Sequence, residues 1–341
     1  MTASLEDQLA RTVARLHSGT GDTIAVVQRL GDADAWLLRS GSDLLVLKRG
    51  RPEQDTADVT WEHDHLRRLQ EIDFPASAPI PAFDGQSWLR LDGRTWAALT
   101  YLPGRTLATE TRPEMAAAGA FLARYHRASR LVSTQEQRPT SSGLSRLREV
   151  TPWDTLRAAL GSDGALQLFD DLLLDLEAGR RDLGYDAIEH LVVHGDATND
   201  NLIVDGTPPR IVGLIDFGAA SLAPWPMDLG AALWRSGRRV ATDVEQDPDR
   251  VGHFVHGYHQ ESPIPRKLAH AVPLMIQARG LALISRRIRR LPDLPRVALD
   301  YIALTLARTA WAHDHRHELI AAIDAALPTD DEPSMPSVAH G

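Results

Sequence analysis

Leu191-Val-Val-His-Gly-Asp-Ala-Thr-Asn-Asp-Asn-Leu-Ile-Val204 is the stretch from which the fold is read. An apolar run delivers His194-Gly195-Asp196, and Asn201 follows five residues after the aspartate. Leu202–Val204 and Arg210–Ile215 read as the two strands of a hairpin, turning around Asp205-Gly206-Thr207-Pro208-Pro209. The second strand delivers Asp216-Phe217-Gly218. Antiparallel pairing brings the start of one strand to the end of its partner, so Asn201 and Asp216 are expected side by side. The layout offers one carboxylate suited to a catalytic base, Asp196, and two oxygen donors suited to a hard cation, Asn201 and Asp216.

Upstream, Lys occurs only twice, at Lys48 and Lys267, among 37 Lys and Arg residues. A chain that uses Arg for nearly every cation, yet keeps Lys48 at the end of the apolar run Leu45-Val46-Leu47, points to chemistry that Arg does not perform. Three strands, Ile24–Leu30, Ala35–Arg39 and Leu44–Lys48, form a meander. Its first turn, Gly31-Asp32-Ala33-Asp34, is acidic and reads equally well as a plain hairpin turn. A Lys on a buried strand requires a charged partner. The helix predicted over Thr56–Glu71 offers Glu62, with Glu53 and Glu71 as competitors. His63 and His65, two apart, point to different helix faces and do not make a metal pair.

The rest of the chain frames these parts. Leu5, Leu9, Val13 and Leu16 lie on one face of an N-terminal amphipathic helix that begins at Ser4, read as a packing helix. Phe74–Pro81 is a proline-rich connector, and Ser87–Leu91 with Thr95–Tyr101 forms a hairpin turning at Asp92-Gly93. That strand is stopped by Pro103-Gly104. Helices are predicted over Pro113–Ala128, Thr155–Leu160, Ala165–Leu183, Met227–Arg235, Pro248–Gln260, Arg266–Arg290 (disturbed at Pro273) and Arg296–Leu327. Ser129–Arg148 reads as polar and irregular. Arg286-Arg287-Ile288-Arg289-Arg290 reads as a basic, solvated helix end, and His313 and His317 share a helix face without a third ligand.

At 341 residues the chain is long enough for two lobes with substantial cores. Hydrophobic residues make up 43% and charged residues 24%, as in soluble globular proteins. No run approaches 18 apolar residues, and no apolar signal segment opens the chain, so a cytoplasmic protein is expected, without membrane partners. No cysteine is present, which excludes disulfides and thiolate metal sites. A net charge of −9 argues against general nucleic-acid binding and mildly favours a cationic substrate, though acidity for solubility explains it better.

Taken together, these motifs resemble the aminoglycoside phosphotransferase, choline kinase and homoserine kinase group of the protein-kinase-like fold, over about residues 20–320. What carries the resemblance is order: Lys after a meander, Glu on the next helix, a Pro-Gly stop, Asp-x4-Asn, a hairpin, then Asp-Phe-Gly. The resemblance implies an α+β bilobal fold. An N-terminal lobe of antiparallel sheet plus helix occupies residues 1–100 and a hinge 101–104. A mainly helical C-terminal lobe occupies 105–328 and a tail 329–341. It implies an enzyme that transfers the γ-phosphate of ATP or GTP, with Mg²⁺, to the hydroxyl of a small, amino-bearing alcohol.

By the same resemblance Asp196 is the base, and Asn201 and Asp216 hold Mg²⁺. Lys48, paired with Glu62, faces the nucleotide phosphates, and the backbone from Thr100 to Leu102 receives the adenine edge. His194 and Asp228 support the loop, and His126 is structural. Asp200, Trp225, Trp234, Tyr258, Arg279 and Trp311 are acceptor-side candidates, although aromatic residues at helical spacing are more often core. The loop spelling Ala197-Thr-Asn-Asp200 departs from the Leu-His-Pro-Gly of many relatives and looks more like hydroxylysine-kinase-type members. The expected acceptors are an aminoglycoside or amino sugar, or an amino alcohol such as hydroxylysine or homoserine. A non-catalytic nucleotide-binding module is the alternative from another class, disfavoured by the intact Lys48, Asp196, Asn201 and Asp216. A protein kinase is disfavoured by the short segment after Gly218, where protein substrates would dock.

Overall fold

The computed structural model describes residues 5–16, 24–30, 34–51, 54–108, 111–132, 134–141, 143–207, 209–240, 242–290 and 295–328. The first turn at Gly31-Asp32-Ala33, Ser4, Glu53 and the 329–341 tail lie outside them.

The meander forms as read. Helix α1 (Leu5–Leu16) precedes β1 (Ile24–Arg29), β2 (Ala35–Ser40) and β3 (Asp43–Arg49), with α2 (Thr56–Glu71) next. β4 (Pro79–Ile80), β5 (Leu89–Leu91) and β6 (Arg94–Thr100) complete a sheet ordered β1-β2-β3-β6-β4, with β5 also on β6. The β5–β6 turn places Asp92 and Gly93 at φ 51° and 75°, the left-handed pair that a two-residue hairpin turn demands. Leu9, Val13 and Leu16 of α1 pack with Trp36, Leu38, Leu45, Leu47 and Trp96, giving this sheet a core of its own. Alternation does the sorting: Leu45 and Leu47 face that core, and Lys48 turns the other way, towards the cleft.

The chain then becomes helical. β7 (Arg105–Thr106) leads into α3 (Arg112–Val132), which opens with a capping box. Thr111 N–H donates to Glu114 Oε2 at 2.9 Å, and Glu114 N–H donates back to Thr111 Oγ1 at 3.4 Å. The helix runs to Val132, so Ser129–Val132, read as irregular, are its last turn. Three helices follow, α4 (Leu147–Val150), α5 (Trp153–Leu160) and α6 (Asp163–Leu183). β8 (His190–Val193), β9 (Leu202–Asp205), β10 (Arg210–Leu214) and β11 (Ser221–Pro224) carry the loops of the site. β11 was not anticipated; it pairs antiparallel with β8, Ser221 opposite Val193.

The last part comprises α7 (Pro226–Ser236), α8 (Pro248–Glu261), α9 (Arg266–Ala269), α10 (Val272–Arg290), α11 (Arg296–Asp314) and α12 (Arg316–Ala326). Two expected long helices are each broken in two. The first breaks at His270-Ala271, which places Pro273 in the first turn of α10, where its missing N–H costs nothing. The second breaks at His315, whose ring stacks on Trp311 at 4.3 Å. Residues 266–290 are long and apolar enough to cross a membrane, and 78% of their most apolar window is buried inside the fold. α3 crosses α8 at very close range, because a Cβ on Gly119 would sit 1.9 Å from Phe254 O. That crossing seats Tyr125 and His126 of α3 beneath β8 and its loop.

Candidate active site

β8 ends in the loop His194-Gly195-Asp196, and three buried contacts set its shape. Gly195 adopts φ 73°, and a Cβ there would lie 2.4 Å from Ala219 O, so only glycine fits this turn. Asp228, fully buried at the start of α7, accepts from Gly195 N–H through Oδ1 and from His194 N–H through Oδ2, both at 2.7 Å. Its Oδ2 also meets His126 Nε2 at 3.1 Å. Burial pushes this carboxyl up. The His126 contact and the His194 N–H outweigh it, and the group is held below the usual carboxylate range. His194 Nε2 meets Ile215 O at 2.9 Å, and its Nδ1 accepts from Asp196 N–H at 3.2 Å. That pattern specifies the neutral Nε2–H tautomer, with the ring clamping the loop to the end of β10. His194, His126 and Asp228 therefore hold the loop from beneath.

The hairpin works as its sequence implies. Leu202 pairs with Leu214, and Ile215 N–H donates to Asn201 O at 3.0 Å, which sets Asp216 next to Asn201. Asn201 Nδ2 donates to Asp196 O at 2.8 Å, so its amide is oriented and Oδ1 remains as the acceptor. Asp216 has φ 62°, an unusual backbone for a residue with a side chain. Lys48 Nζ meets Asp216 Oδ1 at 2.6 Å, joining β3 to the end of β10. Burial pulls the Lys48 ammonium down, but Asp216 and Glu62 more than offset it and raise it above its ordinary value. Burial acts against Asp216 likewise, and Lys48 brings that carboxyl below the usual range.

The proposed pairing of Lys48 with Glu62 is not what forms. Glu62 lies buried on α2 and accepts from Arg138 Nη2 at 3.0 Å. Arg138, in the segment read as irregular, also faces Asp58 at 3.4 Å. Its Nη1 donates to Phe217 O and Ala220 O at 3.3 and 3.0 Å. The guanidinium fork satisfies two carboxylates and two carbonyls at once, which a Lys does not reach. Glu62 acts on Lys48 only through its charge. Nothing local signals Arg138: its partners lie 76 to 82 residues away, and an ion pair at that range leaves no periodicity in sequence.

Other candidates divide similarly. Thr100 has its backbone groups engaged inside the fold, with N–H donating to Ala78 O at 2.8 Å and O accepting from Ser77 Oγ at 2.7 Å. This moves the expected adenine-edge position on to Tyr101 and Leu102. Asp200 is held by Arg235 at 2.6 Å, so its charge is already matched. Trp225 and Tyr258 are core: their rings stack at 5.5 Å, and the Tyr258 hydroxyl meets His126 Nδ1 at 2.9 Å. Trp234 is buried under Arg238, 4.6 Å from its ring, and Trp311 packs on the core and His315. The helices that carry them spend their apolar faces on packing: α7 and α11 lie on α10, and α8 lies on α3 and α12. Arg279 of α10 does reach the site, its Nη2 meeting Asp196 Oδ1 at 2.7 Å. Arg286 sits seven residues further along α10, half-buried rather than solvated.

Residues 23–271 match the model of the phosphotransferase enzyme family. The chain belongs to that family. Its curated relatives include a homoserine kinase of Ralstonia pickettii, 29% identical over 58% of this chain and 59% of that protein. Stress response kinase A of Escherichia coli is 35% identical over 25% of this chain and 26% of that one. The chain thus spans about three-fifths of the length of the first of these relatives. Among solved structures, a microcompartment-associated aminopropanol kinase superposes with a TM-score of 0.70 at 18% identity, covering 91% of this chain and 97% of that one. Amicoumacin kinase hAmiN gives 0.64 at 16%, covering 91% and 94%. At these identities the likeness shows the fold, which is the α+β protein-kinase-like fold expected. The matched residues 23–271 of this phosphotransferase-family chain contain Lys48, Asp196, Asn201, Asp216 and Asp228, so the whole loop constellation lies inside the family region.

Proposed function

We propose that the protein transfers the γ-phosphate of ATP or GTP to a hydroxyl of a small, amino-bearing alcohol in the cytoplasm. The acceptor would be an amino sugar or aminoglycoside, or an amino alcohol such as hydroxylysine or homoserine. One observation carries the reading: Lys48, Asp216, Asn201 and Asp196 converge at one cleft from β3, the end of β10 and a single braced loop. In this reading Asp196 takes the acceptor's proton as its oxygen bonds to the γ-phosphorus, and the nucleoside diphosphate departs with the electrons of the broken P–O bond. Lys48 faces the phosphates, and Tyr101 and Leu102 offer backbone to the base.

The donor set fits Mg²⁺. Asp216 carboxylate and Asn201 Oδ1 are hard oxygen ligands, and this ion takes one or two such groups alongside phosphate oxygens. When bound it would neutralise phosphate charge. After Gly218 the chain enters β11 and α7 directly, leaving no long segment on which a protein substrate would dock, in support of a small acceptor. A coupled assay of nucleoside diphosphate release over amino sugars, aminoglycosides and hydroxy-amino acids tests the reading. Release stimulated by an alcohol and abolished by chelating Mg²⁺ is expected. Asp196→Ala should lower turnover by about 10²–10⁴. Wild-type turnover in that variant would remove Asp196 from the base role, and slow hydrolysis that no alcohol stimulates would favour a non-catalytic module.

A further inference from the structure

Arg279 and Arg286 stand close to Asp196, and Arg290 and Arg51 lie within electrostatic range of Arg286. Arg279, Arg286 and Arg290 stand at i, i+7 and i+11 on α10, hence on one face of the helix. The bond of Arg279 to Asp196 at 2.7 Å fixes where that face looks: into the cleft, at the proposed base. At about 1.5 Å rise per residue, Arg286 lies roughly 10 Å further along the axis. Arg51, two residues beyond the end of β3, lies within electrostatic range of Arg286.

Arg286 is the informative member. It is half-buried, yet makes no hydrogen bond, ion pair or ring contact with any described residue. Its electrostatic surroundings are Arg279, Arg290 and Arg51 against Asp196 alone, and Asp196 is already bonded to Arg279. Burial and those like charges push the guanidinium down to about 10. Arg290, at the exposed end of the helix, is pushed to about 10 as well, by partial desolvation and by Arg51, Arg289 and Arg138 against Asp58. A half-buried guanidinium among like charges is costly without a counter-charge, and the cost is recovered when an anion arrives. The neighbouring arginines are otherwise provided for: Arg287 lies over Tyr301, and Arg138 is saturated by Glu62 and Asp58.

We infer that Arg286, with Arg279, forms an anion subsite on the acceptor side of the cleft, taking a carboxylate or phosphate carried by the alcohol whose hydroxyl faces Asp196. This rests on the kinase reading above and narrows it: the acceptor is an anion-bearing alcohol rather than a purely cationic one. The acceptor side is favoured because the arginine face is anchored on Asp196, whereas the cation at the nucleotide-side carboxylate Asp216 is Lys48. The guanidinium fork matches either oxyanion with two parallel bonds.

The test compares homoserine (carboxylate), glycerol 3-phosphate (phosphate) and 3-aminopropan-1-ol (neither) as acceptors, with wild type, Arg286→Gln and Arg286→Lys. An anion-bearing acceptor should show the lower KM. Arg286→Gln should raise that KM about 10- to 100-fold, the range for a charge-assisted bond, leaving the nucleotide KM within twofold, and Arg286→Lys should recover part of the loss. Which arm responds separates carboxylate from phosphate. Equal use of 3-aminopropan-1-ol, an unchanged acceptor KM in Arg286→Gln, or an equal rise in the nucleotide KM overturns the proposal. Thermal melting with Mg²⁺ and a non-hydrolysable nucleotide separates it from the kinase reading. An Arg286-dependent upshift with homoserine or glycerol 3-phosphate, without turnover, keeps the anion site and sinks the kinase reading. Turnover on 3-aminopropan-1-ol alone does the reverse, and neither upshift nor turnover overturns both.

Discussion

Glu62 and Lys48 illustrate how one residue's partner decides another's state. Glu62 accepts its hydrogen bond from Arg138, and Lys48 turns to Asp216, so two separate ion pairs form in place of the single expected one. They differ in kind. The Glu62–Arg138 pair is buried, with side chains 10% and 7% exposed, whereas the side chains of Lys48 and Asp216 are 36% and 53% exposed. Removing one member of a buried pair strands the other's charge. Arg138→Met should therefore destabilise the protein by about 3–5 kcal/mol in denaturant titration, and a Glu62→Gln change added to it should restore much of that. Equal stability of Arg138→Met and wild type would contradict the buried network. The exposed pair is a poor stability device, and in the proposed reading that leaves Lys48 able to exchange its carboxylate for phosphates.

At the scale of an element, α2 shows what burial does to a helix whose sequence looks polar. It hides His63 and His65 as well as Glu62 and Asp58. Asp58 is met by Arg138 and by Thr140, whose hydroxyl donates to it. His63 Nδ1 meets Ser87 Oγ at 2.9 Å, and burial, then the charge of Lys48, lowers the ring to about 4. His65 Nε2 meets the Tyr125 hydroxyl at 3.1 Å, and burial lowers it to about 3. The unfolded chain protonates both rings near pH 6.5 while the folded one keeps them neutral, so acid favours unfolding. Full stability is present above about pH 6.5. It declines as pH falls and the His63 share is spent by about pH 4, for a loss on the order of 3 kcal/mol. Melting temperature should fall across that window, and His63→Gln should flatten the fall. An identical pH slope in wild type and variant would show that His63 is not the group titrating.

For the molecule as a whole, the Lys48–Asp216 contact is a bond between residues 168 positions apart, from the sheet to the β9–β10 hairpin. Nucleotide with Mg²⁺ entering here would bind the folded state only. At a hundredfold excess over Kd it should raise stability by about 2.7 kcal/mol, read as a rise in melting temperature. Asp216→Asn should lose the Mg²⁺-dependent part of that rise; an undiminished Mg²⁺-dependent shift would exclude Asp216 as a metal ligand.

The distinction running through these residues is one of range. Alternation along Leu45–Lys48, the glycine at Gly195, the Thr111–Glu114 capping box and the hairpin joining Asn201 to Asp216 are all local. Each is set by backbone sterics or by pairing between near neighbours in the chain, and the amino-acid sequence by itself determined them, along with the fold. Arg138 under Glu62, Arg235 on Asp200, Arg279 on Asp196 and the burial of Trp225 and Tyr258 join residues tens of positions apart. Their geometry exists only once α2, α7, α8 and α10 have packed, because a charge or an aromatic ring takes whichever partner the packing brings within reach. The candidate site's polar groups were thus written in short motifs, while the partners that orient them, and the arginine face beside them, were decided by the tertiary structure.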